Sequence, residues 1–194
     1  MLDGEVVANE LGDYLTKEGK ECLLFKVDFE KAYDKVSWNF LRYMMRRMGL
    51  GNVWMNWMKA LIFSRKMSVL TNGSPSKEFV VERGLHQGDP ISPFIFVIVV
   101  EGLNLLIKKA VENGDFAGCN VNSRCVVDIL QFADDTLLTG DGSWKHLWAI
   151  KAVLRGFELV SGLSINFQKS KLIGLNINPQ FLNMATSFVS CKEE

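Results

Sequence analysis

The chain has 194 residues, of which 48% are hydrophobic and 23% are charged, proportions that fit a globular domain and argue against disorder. Lys and Arg together number 22, and Asp and Glu together number 22, which gives a formal net charge of zero. The overall charge therefore gives no support to nucleic-acid binding, and any basic surface must be local.

Helix and strand patterns alternate in the first half of the chain, which shows no linker and no repeat. Apolar residues at helical spacing predict a helix across 7–15, which Gly19 can end. An apolar run at 22–29 predicts a buried strand with Asp28 at its end. The next predicted elements are two helices, two strands joined by an Asn-Gly-Ser-Pro turn, and a loop, at 38–48, 54–62, 67–71, 78–82 and 84–90.

The second half of the chain begins with a predicted long helix, 92–112, in which Pro93 suits the first turn. The apolar segment inside it, 94–100, is far shorter than the roughly 20 residues that cross a bilayer, so no membrane partner is expected. An apolar run at 126–138 predicts a hairpin. The remaining predicted elements are a helix, two short strands and a final helix, at 147–160, 165–167, 172–175 and 181–189.

The cysteine content indicates a reduced, intracellular protein. The four cysteines form no Cys-x-x-Cys pair, and with two histidines in the chain a zinc site is not expected. No secretory signal follows Met1. We therefore predict reduced thiols at every cysteine, and action in the nucleus, the cytoplasm or both. The cysteines are Cys22, Cys119, Cys125 and Cys191.

Two adjacent acids, Asp134 and Asp135, interrupt the apolar run of the predicted hairpin. Side chains alternate faces along a strand, so a straight strand would bury one of the two carboxylates at a high cost. A hairpin with both acids at its tip, between strands 129–133 and 136–139, avoids that burial. A plain turn and a cation site both remain open, because Asp is common in turns and oxygen ligands also suit a divalent cation.

A third acid, Asp28, extends the cation hypothesis. Asp28 is far from the pair in sequence, but a central strand and a hairpin can meet in one sheet. Carboxylates from different strands can hold two Mg²⁺ ions about 4 Å apart, which clamp the attacking and leaving oxygens of a phosphoryl transfer. The three acids together therefore favour phosphoryl-transfer chemistry.

Four motifs follow one another along the chain. They are Asp-Phe-Glu-Lys-Ala-Tyr-Asp at 28–34, Gly-Leu-His-Gln-Gly-Asp-Pro-Ile-Ser-Pro at 84–93, Phe-Ala-Asp-Asp at 132–135 and Gly-Leu-Ser-Ile-Asn-Phe-Gln-Lys-Ser at 162–170. In this order and spacing the chain resembles the reverse transcriptase of LINE-type (non-LTR) retrotransposons, most closely those of plants. The resemblance implies an α+β fold of the right-hand polymerase type, with an antiparallel palm sheet backed by helices and part of the fingers.

The resemblance implies RNA-directed DNA synthesis with an RNA template, a DNA primer and deoxynucleoside triphosphates as partners. Asp28, Asp134 and Asp135 match the family's catalytic, metal-binding acids, and the carbonyl of Phe29 would complete the ligands of one ion. The family uses two Mg²⁺ ions, which Mn²⁺ can replace. These ions activate the primer 3′-hydroxyl and stabilise the leaving pyrophosphate.

The resemblance also implies substrate-binding roles for Phe29, already named as an ion ligand, and for four further residues. Tyr33 matches an aromatic that closes off the sugar 2′ position, although outside the family it would be a core aromatic. Gln87 and Gly88 match a loop that lines the nucleotide and template, where glycine permits close approach and an amide can donate. Lys169 matches a lysine near the pyrophosphate, and Lys171 is the nearby alternative for that role. Outside the family Lys169 would be a solvated turn lysine.

Two departures from the family pattern leave alternatives open. His86 stands where the plant elements usually have Arg. The family's triphosphate-gripping residues would precede residue 1 and its thumb would follow residue 194, so we expect 1–194 to be a reverse transcriptase fragment of a larger polyprotein, without thumb, endonuclease or RNase H. A non-catalytic remnant is therefore one alternative. An RNA polymerase or other palm nucleotidyltransferase is another, against which Tyr33 and Ala133 argue.

Overall fold

The computed structural model of the protein describes residues 2–122, 125–132 and 135–193. Each helix that the sequence predicts is confirmed, and one further short helix follows the first strand. The helices are α1 (Leu2–Lys17), α2 (Ala32–Lys35), α3 (Trp38–Arg47), α4 (Asn52–Met58), α5 (Ser92–Glu112), α6 (Trp144–Ser161) and α7 (Pro179–Val189). The predicted helix 54–62 ends as a π-helical turn, Lys59–Phe63. Within the described ranges, no helix combines the length and apolar character needed to span a membrane.

The main sheet contains five of the described strands and is antiparallel except at one edge. The strands of this sheet are β1 (Cys22–Val27), β8 (Ile129–Phe132), β9 (Asp135–Gly140), β10 (Lys171–Leu175) and β11 (Lys192–Glu193). Their order across the sheet is β11-β10-β1-β9-β8, and β11 runs parallel to β10. Three two-stranded ladders flank it, formed by β2 (Lys66–Met67), β3 (Leu70–Thr71), β4 (Ser74–Pro75), β5 (Phe79–Val80), β6 (Cys119–Asn122) and β7 (Cys125–Val127).

Several predicted strands differ in extent from the observed ones. The predicted pair of strands 67–71 and 78–82 is a hairpin broken into two short ladders, β2 with β5 and β3 with β4. The predicted hairpin run 126–138 is interrupted at Asp128, whose side chain accepts a hydrogen bond from the Gly118 N–H. The predicted strand 165–167 is reduced to a single bridge between Ile165 and Phe29. Strand β11 was not predicted, because two residues carry no periodic signal.

The main core lies on one face of the sheet, between β1 and the long helices. Alternate β1 side chains point to this face. Leu23, Phe25 and Val27 are each about 1% exposed and pack with residues of α5 and α6. Gly162 ends α6 with φ 78°, and a Cβ there would lie 2.7 Å from the Lys35 carbonyl oxygen, so a glycine is needed at this close approach. The end of β1 that leads to Asp28 is therefore packed against α5 and α6.

A smaller core lies on the other face of the sheet, under α1. Leu11 and Leu15 of α1 pack against Leu24 and Leu137 together with Cys22 and Cys119. Cys22 and Cys119 form a disulfide, with their Cα atoms 6.0 Å apart, a usual separation for such a bond. The prediction of reduced thiols is therefore wrong for this pair. Because 97 residues separate the two cysteines, no local pattern predicts this bond, which forms where β6 packs beside β1 and β9.

The two remaining cysteines are free. Cys125 is exposed. Cys191 is partly buried, and burial raises the pKa of its thiol to about 11, so this thiol stays protonated near neutral pH.

We expect reduction of the Cys22–Cys119 disulfide to lower the free energy of unfolding by about 2–5 kcal/mol, because the bond closes a long loop in the unfolded chain. Urea unfolding with and without dithiothreitol measures the difference. Cys119→Ala should be insensitive to dithiothreitol. Four titratable thiols in the unreduced protein would contradict the bond.

Candidate active site

Two of the predicted acids end neighbouring strands on the same face of the sheet. The register of β1 and β9 pairs Val27 with Thr136, and the next residues along are Asp28 and Asp135. Leu24 and Leu137 point to the α1 face, so Asp28 and Asp135, an even number of residues away, point to that face too. Alternation therefore brings the two carboxylates together on the face opposite α5 and α6.

The predicted hairpin of β8 and β9 has one of its two acids, Asp135, in a strand and not at the tip. Strands β8 and β9 are antiparallel, as expected, and Phe132 pairs with Asp135. Asp135 is therefore the first residue of β9 and not part of the turn. Asp134 lies outside the described residues, so its predicted role stays a prediction.

A cleft of about 1080 Å³ opens beside the two acids. Its walls come from the α1 face of the sheet, the turn before β10 and one side of α1. Four of the residues predicted from sequence line this cleft, namely Asp28, Phe29, Asp135 and Lys169. The structure thus brings together residues that lie in three separate motifs.

Backbone hydrogen bonds fix the segment that carries Asp28. The Asn166 N–H donates to the Asp28 carbonyl oxygen at 2.8 Å, and the Glu30 N–H donates to the Ser164 carbonyl oxygen at 2.8 Å. These two bonds flank the bridge between Phe29 and Ile165. The segment 164–166 therefore pairs with residues 28–30 beyond the end of β1, as β10 pairs with β1 itself.

Ser170 is a positioning residue that sequence reasoning missed. Its hydroxyl accepts a hydrogen bond from the Asp28 N–H at 3.1 Å and donates to the Asn166 carbonyl oxygen at 2.9 Å. Ser170 is fully buried, so water cannot replace its hydroxyl as the hydrogen-bond acceptor. The sequence shows Ser170 only as the last residue of the fourth motif, next to Lys169. No sequence pattern connects position 170 with position 28.

Several lysines lie near Asp28 and Asp135. The Lys26 Nζ lies 3.6 Å from an Asp135 carboxylate oxygen, and both side chains are more than 40% exposed, so water screens this ion pair. Lys169 is an exposed residue of the turn before β10. The Lys35 ammonium, by hydrogen bond and charge, lowers the pKa of Glu30, and Lys31 and Lys169 add smaller effects of the same sign.

The donor atoms at this site fit a hard divalent cation. Asp28 and Asp135 supply carboxylate oxygens, the ligands that Mg²⁺ prefers. No group of three Asp, Glu, His or Cys side chains able to hold a metal occurs among residues 2–122, 125–132 and 135–193. The described part of the site therefore offers a pair of acids, Asp28 and Asp135.

Tyr33, Gln87 and Gly88 form a second group, apart from the lining of the cleft. Tyr33 lies on α2, and its ring centroid is 5.1 Å from that of Phe96. Its carbonyl oxygen accepts a 2.7 Å hydrogen bond from the Leu85 N–H, which ties α2 to the loop. Gln87 and Gly88 are exposed, and Gly88 has φ 87°, which favours glycine.

The loop with Gln87 and Gly88 is held at both ends. At its start, the Trp38 indole N–H donates to the Gly84 carbonyl oxygen at 2.8 Å. At its end, Asp89 accepts from the Ile91 N–H at 3.2 Å and from the Arg65 guanidinium at 2.7 Å. These two contacts lower the pKa of the Asp89 carboxyl, the backbone bond more strongly. The exposed middle of the loop is therefore presented by fixed ends.

Comparison with known proteins assigns nearly the whole chain to one family. The sequence model described as "Reverse transcriptase (RNA-dependent DNA polymerase)" matches residues 3–182. A retrovirus-related Pol polyprotein from the type-1 retrotransposable element R2 of Popillia japonica is 27% identical over 179 residues, covering 90% of this chain and 24% of its own length. The chain therefore spans about a quarter of the length of that relative.

Two further similarities concern a plant protein and a solved structure. An uncharacterized mitochondrial protein of Arabidopsis thaliana is 33% identical over 115 residues, covering 57% of this chain and 90% of its own length. The structure of apo telomerase from Candida tropicalis, truncated from the C-terminal domain, superposes with a TM-score of 0.55 at 16% identity, covering 90% of this chain and 36% of that one. At this identity the telomerase likeness concerns the fold alone.

A mainly antiparallel sheet with α5 and α6 packed on one face, and with the acids beside α1 on the other, has the architecture of a polymerase palm with fingers elements, which the telomerase superposition supports. The protein belongs to the family described as reverse transcriptase (RNA-dependent DNA polymerase).

We expect Ser170→Ala to lower the free energy of unfolding by about 1–3 kcal/mol, because it leaves the Asp28 N–H without its buried acceptor. The Asp28 amide should also exchange its hydrogen faster with solvent. Urea unfolding and amide exchange followed by NMR measure the two effects.

Ser187→Ala is the matched control. Ser187 also donates to a carbonyl oxygen four residues earlier, that of Asn183, but it is exposed on α7. Its replacement should change neither quantity. Equal effects of the two variants would contradict a special role for Ser170.

Proposed function

We propose that this chain is the palm, with part of the fingers, of a non-LTR retrotransposon reverse transcriptase of the plant type. It adds deoxynucleotides to the 3′-hydroxyl of a DNA primer under the direction of an RNA template. The observation that carries the proposal is the pair Asp28 and Asp135 at the ends of adjacent strands, facing one cleft in a chain of this family. The R2 relative supports the element type, and the Arabidopsis relative supports the resemblance to plant sequences.

The proposed reaction depends on oxygen ligands from the two strands. Asp28, Asp134 and Asp135 would hold two divalent ions, Mg²⁺ or Mn²⁺, with the Phe29 carbonyl as a further ligand. Bound metals lower the pKa of the primer hydroxyl and stabilise the charge of the leaving pyrophosphate. Lys169, exposed at the cleft, would add a positive charge beside that pyrophosphate.

The second group of residues would select and align the nucleotide. Tyr33 would close off the sugar 2′ position, and the Gln87 amide with the Gly88 backbone would line the nucleotide and template. Support comes from the fixed ends of the loop and its hydrogen bond to α2. As part of a larger polyprotein, the chain would act in the nucleus, the cytoplasm or both.

We expect Asp28→Asn and Asp135→Asn each to lower the rate of primer extension about 100-fold or more, since metal-stabilised charge is worth several kcal/mol in the transition state. The assay extends a labelled DNA primer on an RNA template with Mg²⁺ or Mn²⁺. Mn²⁺ binding, followed by electron paramagnetic resonance, should weaken in both variants.

Asp115→Asn is the control for these variants, because Asp115 is exposed in the turn after α5. Undiminished synthesis by Asp135→Asn would contradict the metal assignment. Metal binding without any extension by the wild-type chain would favour the non-catalytic remnant. Extension that prefers ribonucleotides would favour the RNA polymerase alternative.

We expect Tyr33→Ala to raise ribonucleotide incorporation relative to deoxynucleotide incorporation by at least about tenfold, because it removes bulk at the proposed 2′ position. Tyr33→Phe keeps the ring and should keep the wild-type ratio. Competition between the two nucleotide types in primer extension measures it. A destabilised Ala variant with an unchanged ratio would show that Tyr33 is a core aromatic packed on Phe96.

A further inference from the structure

A groove of about 400 Å³ lies between α3 and α5, on their solvent-exposed surface. Its apolar lining includes Met44 and Met48 of α3 and Val97 and Leu105 of α5. The described residues that line this groove are not those that line the cleft beside the acids. The groove is therefore separate from the candidate active site.

Close packing of α3 on α5 gives the groove a fixed shape. A Cβ at Gly102 of α5 would lie 2.6 Å from the Phe40 ring, so this position needs a residue without a side chain. Beside this contact the apolar side chains remain open to solvent, since Met48, Val97 and Leu105 are each about half exposed. The groove therefore has rigid walls and an apolar rim.

The exposed apolar side chains continue beyond the groove. Across 94–107 of α5 the only charged residue is Glu101, and a helix that is apolar on nearly all sides is typical of one that is covered on all sides. Phe94, Val97 and Leu105 nevertheless form an exposed stripe at helical spacing. A contiguous exposed apolar patch of this kind marks an interaction surface. We call the following set the α3–α5 face: Tyr43, Arg47, Met48, Phe94, Val97, Glu101 and Leu105.

Two opposite charges lie on the two walls of the groove. Arg47 belongs to α3 and Glu101 to α5, and both line the groove. Within the ranges that the structure describes, neither side chain is part of an ion pair. Glu101 accepts one hydrogen bond, from the Asn104 amide at 3.1 Å. Both charges are thus available to a molecule that covers the groove.

This distribution of charge is self-complementary. A two-fold axis that runs along the groove, in the plane of the contact, places α3 of one copy over α5 of the other. Arg47 of each copy then faces Glu101 of the other copy, and the exposed Met48 faces the apolar stripe of α5. A contact of α3 with α3 is disfavoured, because α3 carries three arginines and no acid, and facing like charges are costly.

We propose that the α3–α5 face is the interface of a homodimer, in which Arg47 of each copy pairs with Glu101 of the other. The occupant of the groove is thus a second copy of this chain. Because α5 packs on the sheet face opposite the acids, the contact leaves the cleft of each copy uncovered. The proposal goes beyond the proposed function and does not depend on it.

The test measures the dimer dissociation constant of the 194-residue chain by sedimentation equilibrium. For a contact of this small size we expect dissociation in the range of about 1–100 μM. Arg47→Glu and Glu101→Arg each place like charges opposite one another at both symmetric positions. Each variant should therefore raise the dissociation constant at least about tenfold.

Two rescue experiments are specific to a two-fold contact. The double variant Arg47→Glu/Glu101→Arg restores opposite charges with their places exchanged, so its dissociation constant should return to within about threefold of the wild-type value. An equimolar mixture of the two single variants should form a heterodimer, because Glu at 47 in one chain then faces Arg at 101 in the other, and the second contact pairs the unchanged Glu101 and Arg47. Melting temperatures of all variants should match that of the wild type, since both positions lie on the solvent-exposed surface.

A pair of exposed valines tests the apolar part of the face. Val97→Ser should raise the dissociation constant about tenfold, because it removes apolar area that the dimer buries. Val160→Ser is the matched control, since Val160 of α6 is 52% exposed and Val97 is 50% exposed. The control should leave the dissociation constant unchanged.

The contrary outcomes are distinct from failure of the proposed function. A chain that stays monomeric up to about 200 μM would overturn the homodimer and leave the face to a helix of a different protein. Dimerisation that none of these variants weakens would place the interface elsewhere and also overturn the proposal. Weakening by both single charge variants without rescue in the double variant or the mixture would overturn the Arg47–Glu101 pairing. None of these results changes the expected loss of extension in Asp135→Asn.

Discussion

The position of β1 between β9 and β10 is the constraint on which the site depends. Both edges of β1 are paired, and its exit is fixed by the bonds of Asp28 to Asn166 and Ser170. Because side chains alternate, the same backbone that buries Phe25 and Val27 must present Lys26 and Asp28 on the other face. A shift of register by one residue would bury the charges and expose the core, so core packing also specifies the site.

The aromatic core connects the two groups of candidate residues. Phe29, directly after Asp28, packs edge-to-face on Phe96 with ring centroids 6.3 Å apart, and Tyr33 packs on the same ring at 5.1 Å. Phe96 belongs to α5, which starts directly after the loop with Gln87 and Gly88. The acids and the loop are thus separate at the surface but share one buried support, which keeps their relative position fixed.

Most of the fold was predictable, because long helices and buried strands leave strong periodic signals. The helices α5 and α6 and the strand β1 followed from such patterns, as did the β8–β9 hairpin. What the sequence could not supply are contacts between distant residues that have no local pattern. The Cys22–Cys119 bond and the Ser170 contact with Asp28, 142 residues away, are of this kind. At the site, strand position and the family motifs predicted Asp28 and Asp135. The separation of the cleft from the loop with Gln87 and Gly88 depends on core packing, which has no local sequence pattern.

The same alternation explains why the charge of the whole chain was a poor guide. A balance of 22 basic and 22 acidic residues says nothing about a face on which every second residue is selected. On the α1 side of the sheet, the acids occur at the ends of β1 and β9 and the lysines continue over β10 and β11. Acidic and basic side chains thereby share one surface, where Lys26 and Asp135 form an ion pair. Which charges a face of the sheet presents to the cleft therefore follows from strand register and alternation, and not from the composition of the chain.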